Sequence, residues 1–121
     1  ASDVYKRQVI GIRDNRKGGA LTETTFLVLL AVYQPNHGYG IMQFIERETN
    51  GRVVLGAGTL YGAINTLVKK KWIALFGDEA DGKKKEYLIT EIGKQKAEEE
   101  LQRIEEVWKL ASTMIKGDRS K

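Results

Sequence analysis

Thr59-Leu60-Tyr61-Gly62-Ala63-Ile64-Asn65-Thr66-Leu67-Val68-Lys69-Lys70-Lys71 leads into Trp72-Ile73-Ala74-Leu75-Phe76, and then, past a short acidic stretch, into Asp81-Gly82-Lys83-Lys84-Lys85-Glu86-Tyr87. Leu60, Ile64, Leu67 and Val68 recur at helical spacing and make one apolar stripe. Ile73 and Leu75 alternate with their neighbours as a strand does, and so do Tyr87 and Ile89. Asp81-Gly82 is a strong turn signal between the two strands. The loop exceeds a two-residue hairpin, so it is expected to project with Lys83, Lys84 and Lys85 at or near its tip. The stretch therefore predicts an amphipathic helix that ends in three lysines, followed by a basic hairpin.

The helix opens at Gly56-Ala57-Gly58-Thr59. Opposite its apolar stripe, a helical wheel places Gly58, Gly62, Asn65, Thr66 and Lys69, flanked by Thr59, Tyr61 and Lys70. Small residues permit close approach, amide and hydroxyl groups can meet base edges, and lysine can meet phosphate. Alone, such a face suits water as readily as DNA, and a lysine-rich turn can serve solubility. The two lysine triplets on neighbouring elements favour a winged helix-turn-helix DNA binder.

The rest of the chain is consistent with that frame. Its 121 residues allow one domain, or one domain plus an arm. The net charge of +4 and a pI of about 9.3 favour a polyanionic partner without requiring one. Residues 52–90 hold seven Lys/Arg against four Asp/Glu, whereas residues 91–116 hold five against six. The absence of cysteine excludes disulfides, thiol nucleophiles and Cys-based zinc sites. No apolar run approaches the about 18 residues that span a bilayer, and the start lacks the apolar core of a secretory signal. No membrane association is expected, and the default expectation is a cytoplasmic protein.

Residues 1–20 read as a basic arm, disordered or artefactual, with Lys6, Arg7, Arg13, Arg16 and Lys17. The run from Ser2 to Gln8 resembles translated adapter sequence. The functional alternative is an arm that lies along DNA or on a partner subunit. Thr22 can cap a first helix carrying Phe26, Leu29, Leu30 and Tyr33, with Val28, Ala31 and Val32 widening its apolar face. Pro35 ends it, and Asn36-His37-Gly38 make a connector. A second helix is expected from about Tyr39 to Thr49, with Ile41, Phe44 and Ile45 facing inward and Asn50-Gly51 as its stop. Val53-Val54-Leu55 supplies at most one pairing strand.

Thr90 suits the cap of a last helix over residues 91–116, before a tail of residues 117–121. Ala97, Leu101, Ile104, Trp108, Ala111 and Ile115 follow alternating steps of four and three, which is a coiled-coil seam. Val107, Leu110 and Met114 add a second apolar stripe, wider than one small domain needs. The expectation is a helix that packs on a second copy of the chain. Glu99–Arg103 and Glu105–Lys109 suit favourable i,i+4 pairs, and Glu98-Glu99-Glu100 reads as a solvated face.

Taken together, residues 21–90 are expected to form the winged helix-turn-helix domain. The fold class is mainly α with a small β-hairpin, plus a long C-terminal helix. Candidate DNA contacts are Tyr39, Thr59, Tyr61, Gly62, Asn65, Thr66 and Lys69 for reading, with Lys70, Lys83, Lys84 and Lys85 for phosphate. No catalytic constellation, metal site or cofactor loop emerges, and an enzyme is not expected. His37 has no second imidazole or cysteine to complete a metal site. Asp78, Glu79 and Asp81 sit beside lysines on a short loop. Gly56, Gly58 and Gly62 lack the Gly-Lys-Ser/Thr of a phosphate loop.

Several motifs in this order resemble the PadR-type transcriptional regulators. They are Leu21-Thr22-Glu23 through Phe26, His37-Gly38-Tyr39-Gly40-Ile41, Gly58-Thr59-Leu60-Tyr61 with Leu67 and Lys71, Asp81-Gly82 with three cations, and Tyr87 with Leu88-Ile89-Thr90-Glu91-Ile92-Gly93. The resemblance covers residues 21–116 and is to the short subfamily with a single C-terminal helix. It implies a homodimeric repressor of double-stranded DNA, with the third helix in the major groove, the wing on the backbone or minor groove, and the last helix crossing the partner. It also implies release of DNA by a small aromatic effector, with Ile104, Val107 and Trp108 as possible contacts at the dimer interface. The chain departs from the family in carrying lysines in the wing where arginine is commoner, and Glu86 where a cation is usual. Asn65 and Thr66 stand where many relatives are basic. Where some short relatives stack drugs on a tryptophan, this chain has Ile104, with Trp108 one turn later; Trp108 as dimer core is the competing reading. Two other functional classes stay open: a winged-helix protein-interaction module, and a small-molecule sensor whose main activity is ligand capture.

Overall fold

The computed structural model describes residues 19–77 and 85–117. The order is α1 (Glu23–Ala31), β1 (Asn36–His37), α2 (Gly38–Glu48), α3 (Ala57–Lys69), β2 (Ile73–Phe76), β3 (Glu86–Ile89) and α4 (Glu91–Lys116). The strands form one antiparallel sheet in the order β1-β3-β2. This is the mainly helical, winged helix-turn-helix class that the periodicities predict. Contacts divide the chain within α4: Glu23–Leu101 form one unit, and α4 from Gln102 onwards belongs to a second.

Helix α1 is apolar nearly all round, as a central helix must be. Val28, Leu29 and Val32 have no exposed surface, while Leu30 and Tyr33 lie on the rim. The helix stops at Ala31, four residues before Pro35. In a continuing helix the residue-35 N–H would donate to the carbonyl of Ala31, and proline has none. The Asn36 side-chain amide donates to that carbonyl instead, at 3.2 Å. The backbone N–H of Ile89 donates to the carbonyl of Val32 at 2.9 Å, docking the end of α1 on β3.

Two sequence expectations are corrected in the sheet. Asn36–His37, read as a connector, forms β1 and pairs with β3 (Asn36 opposite Tyr87, His37 opposite Glu86). Residues 53–55, read as one pairing strand, form no strand. Val53 donates its N–H to the Thr49 Oγ1 at 3.1 Å, and Val54 lies exposed. On the hairpin, Ile73 opposes Ile89 and Leu75 opposes Tyr87; Ile73, Tyr87 and Ile89 are buried, while Leu75 is exposed. The Asp81-Gly82 turn lies outside the described residues.

The core gathers Leu29, Ile41, Ile45, Leu60, Ile64, Leu67 and Ile73, each less than 2% exposed. Burying a side chain of this size contributes about 1.5–3 kcal/mol. Phe44, expected inward, is half-buried, and Val68, expected on the inner stripe of α3, is 39% exposed. Leu60, Ile64 and Leu67 occupy the centre of the buried stripe, and Val68 lies at its edge.

Helix α2 ends on Asn50 and Gly51, both left-handed at φ 53° and 81°, and Gly51 donates its N–H to the carbonyl of Glu46 at 2.8 Å. The loop that follows is tied to α1, because Arg52 grips the Glu23 carboxylate with both guanidinium nitrogens. That hydrogen bond holds the Glu23 pKa below the ordinary carboxylate value.

Helix α4 is capped by Thr90, whose Oγ1 accepts from the Gly93 N–H at 3.0 Å. Gly93, Ala97 and Glu100 form its buried stripe. Glu100 therefore departs from the solvated face expected of Glu98-Glu99-Glu100: it lies seven residues after Gly93 and turns inward, at 5% exposure. Glu99 pairs back to Lys96 at 3.7 Å. Beyond Glu100 the burial pattern changes: Leu101, Val107, Trp108, Leu110, Met114 and Ile115 are all more than half exposed.

Candidate nucleic-acid interface

Helix α3 carries the candidate reading face. Its N-cap, Gly56, offers no side chain to the first turn. Thr59, Tyr61, Gly62, Asn65, Thr66, Lys69 and Lys70 are all exposed. A Cβ added at Gly58 or Gly62 would meet nothing within 4 Å. The fold itself therefore does not require a glycine at either position. A hydroxyl, an amide and a phenol are thus displayed above a two-glycine floor, with lysines at the C-terminal end.

Helix α2 and β1 hold this face in place. His37 caps α2 by accepting the Gly40 N–H on Nδ1 at 3.1 Å. This gives the lone histidine a structural role. A Cβ on Gly40 would overlap the Asn36 side-chain oxygen, and a Cβ on Gly38 would overlap the Tyr61 hydroxyl. The Tyr61 ring thus lies over the start of α2, so this residue both belongs to the outer face of α3 and sets the spacing of the two helices. Tyr39, on the first turn of α2, is 57% exposed.

The C-terminal end of α3 is built differently. Lys71 adopts φ 67°, a left-handed conformation uncommon for a side chain with a Cβ. Trp72 then donates its N–H to the carbonyl of Leu67 at 3.1 Å, closing the helix end. The Trp72 carbonyl accepts the Thr90 N–H at 2.9 Å, and Thr90 Oγ1 lies 2.7 Å from the Lys71 carbonyl and 3.0 Å from that of Trp72. A Cβ at Gly93 would overlap the Trp72 carbonyl. The indole carries two ammonium groups near its ring, Lys70 Nζ at 4.8 Å from the centroid and Lys96 Nζ at 6.0 Å.

Of the expected wing contacts, Lys85 is exposed next to β3, and Lys83 and Lys84 lie outside the described residues. Glu86 is half-buried opposite His37 and Phe76. On α4, Ala97 is covered within the single chain at 3% exposure, Ala111 is half-buried, and Leu101, Ile104, Trp108 and Ile115 are exposed. A shallow, open depression on α2 is lined by Tyr39, Met42, Gln43, Glu46, Arg47 and Leu55; Ile104, Val107 and Trp108 do not line it. Among the described residues no group of three His, Asp or Glu could hold a metal, and no helix is long and apolar enough to cross a membrane.

Sequence reasoning missed the Gly38–Tyr61 contact, the His37 cap and the junction of Trp72, Thr90 and Gly93. The first two had a local signal in Asn36-His37-Gly38-Tyr39-Gly40, where two glycines flank an exposed tyrosine beside a capping side chain. The junction had none, because a backbone carbonyl does the bonding.

Residues 26–99 match the model of the transcriptional regulator PadR-like family. The chain is 33% identical over 95 residues to an uncharacterized protein of Lysinibacillus sphaericus, a match covering 77% of this chain and 87% of that one. Among solved structures it is similar to a transcriptional regulator from Clostridium thermocellum, with 27% identity, a TM-score of 0.59, and coverage of 84% of this chain and 94% of that one. A PadR family transcription regulator from Clostridium difficile shares the fold at 22% identity and a TM-score of 0.64, over 76% of this chain and 97% of that one. The matched family and these two structures are transcription regulators rather than enzymes.

Proposed function

The chain belongs to the PadR-like family, whose regulators bind DNA, and from that premise we propose that it is a homodimeric, ligand-responsive repressor of a near-palindromic operator. The observation that carries the DNA contact is the outer face of α3, where Gly58 and Gly62 meet no internal atom while Thr59, Asn65, Thr66 and Lys69 are exposed around them. Helix α3 enters the major groove. Asn65 and Thr66 present amide and hydroxyl groups to base edges, with Thr59, Tyr61, Gly62 and Lys69 completing the surface and Tyr39 flanking it. Lys70, Lys83, Lys84 and Lys85 meet phosphates, which adds affinity without sequence preference.

A second copy of the chain covers α4. Leu101, Ile104, Trp108 and Ile115 continue the seam, and the Trp108 side chain is 64% exposed in the single chain. An exposed apolar run of this length is unusual on a helix that stays single. A small aromatic effector stacks at the same interface, on Ile104, Val107 and Trp108, and binding there weakens the hold on DNA.

Selection from a pool of random duplex at physiological salt, followed by sequencing, tests the whole reading. The expected result is an enriched near-palindrome with half-sites about one helical turn apart. Binding without enrichment, lost at modest salt, would leave only charge attraction and favour a protein-interaction module. Sedimentation of the free protein tests the dimer, and quenching of tryptophan emission by planar aromatics, compared with a Trp72→Phe variant, tests the effector site.

A further inference from the structure

The indole of Trp72 lies beneath two cations, and its backbone is held from both sides. Its N–H closes the end of α3 on Leu67, its carbonyl receives Thr90, and Gly93 packs against that carbonyl with no room for a Cβ. These bonds fix the Trp72 backbone, so the half-buried indole projects from a rooted position at the end of α3. Lys70 precedes it by two residues, and the left-handed turn at Lys71 stands between them. Lys70 Nζ then rests 4.8 Å from the ring centroid. Lys96, the other cation near the ring, also has a carboxylate at 3.7 Å in Glu99.

We propose that Trp72 is the positioning residue for Lys70: the indole holds the lysine ammonium in place at the end of the reading helix, ready for a DNA phosphate. This rests on the reading of Lys70 as a phosphate contact. A free lysine side chain gives up most of its rotamer freedom when it meets phosphate. A lysine already stacked on a ring has lost part of that freedom beforehand, so contact costs less. The ring occupies one side of the ammonium and leaves its remaining donors for oxygen. Trp72 itself touches no nucleic acid in this scheme.

The test uses a duplex of random sequence, so that base reading does not enter. Affinity is measured across a range of salt for the wild type, Lys70→Gln, Trp72→Leu, Trp72→Phe and the Lys70→Gln/Trp72→Leu double variant, with thermal unfolding recorded for each. Lys70→Gln should flatten the salt slope by about one unit. Trp72→Leu should weaken binding about two- to five-fold, the scale of an exposed cation–ring contact. The double variant should bind no worse than Lys70→Gln alone, and Trp72→Phe should fall between wild type and Trp72→Leu. Additive losses in the double variant, an unchanged Trp72→Leu, or a Trp72→Phe that is as weak as Trp72→Leu at equal stability would overturn the positioning role. An unchanged Lys70→Gln would overturn it while leaving the DNA reading intact. A wild type that fails to bind duplex at low salt would overturn the DNA reading, and this proposal with it.

Discussion

The two ends of α3 are built to opposite specifications. Over the N-terminal half, Gly58 and Gly62 face open space and the cap contributes no side chain. At the C-terminal end, Lys71, Trp72, Thr90 and Gly93 bring the end of α3, the start of β2 and the start of α4 into one bonded knot. One end meets open space, and the other is anchored to the scaffold. A glycine thus means different things at the two ends. Gly93 is small because a carbonyl lies against it, whereas Gly62 has no internal reason to be small.

That contrast is broken most directly by alanine at the two glycines. Gly93→Ala forces a Cβ into the Trp72 carbonyl and should cost about 1–3 kcal/mol, the usual penalty for overpacking a filled site. Gly62→Ala sits in a helix interior and should stabilise by about 0.5–1 kcal/mol. Urea midpoints of the two variants should therefore move in opposite directions, and equal shifts would refute the comparison. DNA affinity should divide them differently, because Gly62→Ala obstructs the approach of a groove while leaving the fold intact.

Asn65→Ala sharpens the same contrast from the chemical side. The side chain is exposed on the outer face of α3, so its loss should leave stability within about 0.5 kcal/mol, as for most surface substitutions. A bidentate contact to a base is worth about 1–3 kcal/mol of discrimination. The variant should bind random duplex as the wild type does and lose preference for the selected operator. Equal weakening on both sequences would remove Asn65 from the base-reading role.

How much of this was legible in the sequence follows the same division. The outer face of α3 could be placed from the wheel alone, because exposure on a helix is set by local period. The two hairpin strands could be placed from the alternation of Ile73 with Leu75 and of Tyr87 with Ile89, but not their register. The third strand could not be read: Asn36 and His37 are two polar residues without period, and they become a strand only because β3 has a free edge beside them. Val53-Val54-Leu55 has strand-like composition but no edge to join. Glu100 read as solvent-facing from its two neighbours, yet it shares the buried stripe of Gly93 and Ala97. The knot at Trp72 depends on carbonyls, which every residue has, so no residue type announced it. The seam of α4 showed that one face is apolar but not what covers it: Ala97 is buried within the chain, and Leu101 is 51% exposed.

Lys71 offers a smaller perturbation at the anchored end. Its positive φ suits glycine, and a residue with a Cβ there costs about 1–2 kcal/mol. Glycine recovers that cost but gains freedom in the unfolded chain, an opposing effect of about 0.4–1 kcal/mol. Lys71→Gly should therefore be neutral or up to about 1.6 kcal/mol more stable. Lys71→Val, branched at Cβ, should be less stable than the wild type. A loss of stability in Lys71→Gly would mean that the lysine side chain, rather than the turn, holds this end together.

The smallest expected effect lies at the tie between α1 and the loop that precedes the clear end of α3. Arg52 lowers the pKa of Glu23 by a two-point hydrogen bond and by its charge. A carboxyl whose folded pKa lies below its unfolded value of 4.5 contributes stability above that value. The contribution falls away as pH drops through the folded value, once both states carry the proton. Arg52 stays charged throughout, so Glu23 alone sets the window. Arg52→Met should therefore lower the urea midpoint slightly at pH 7, and the variant and wild-type curves should converge below pH 4.5. Because both side chains are more than half exposed, added salt should shrink the difference at pH 7 as well. A gap that persists in acid would assign the effect of Arg52 to packing of its aliphatic stem instead of its charge.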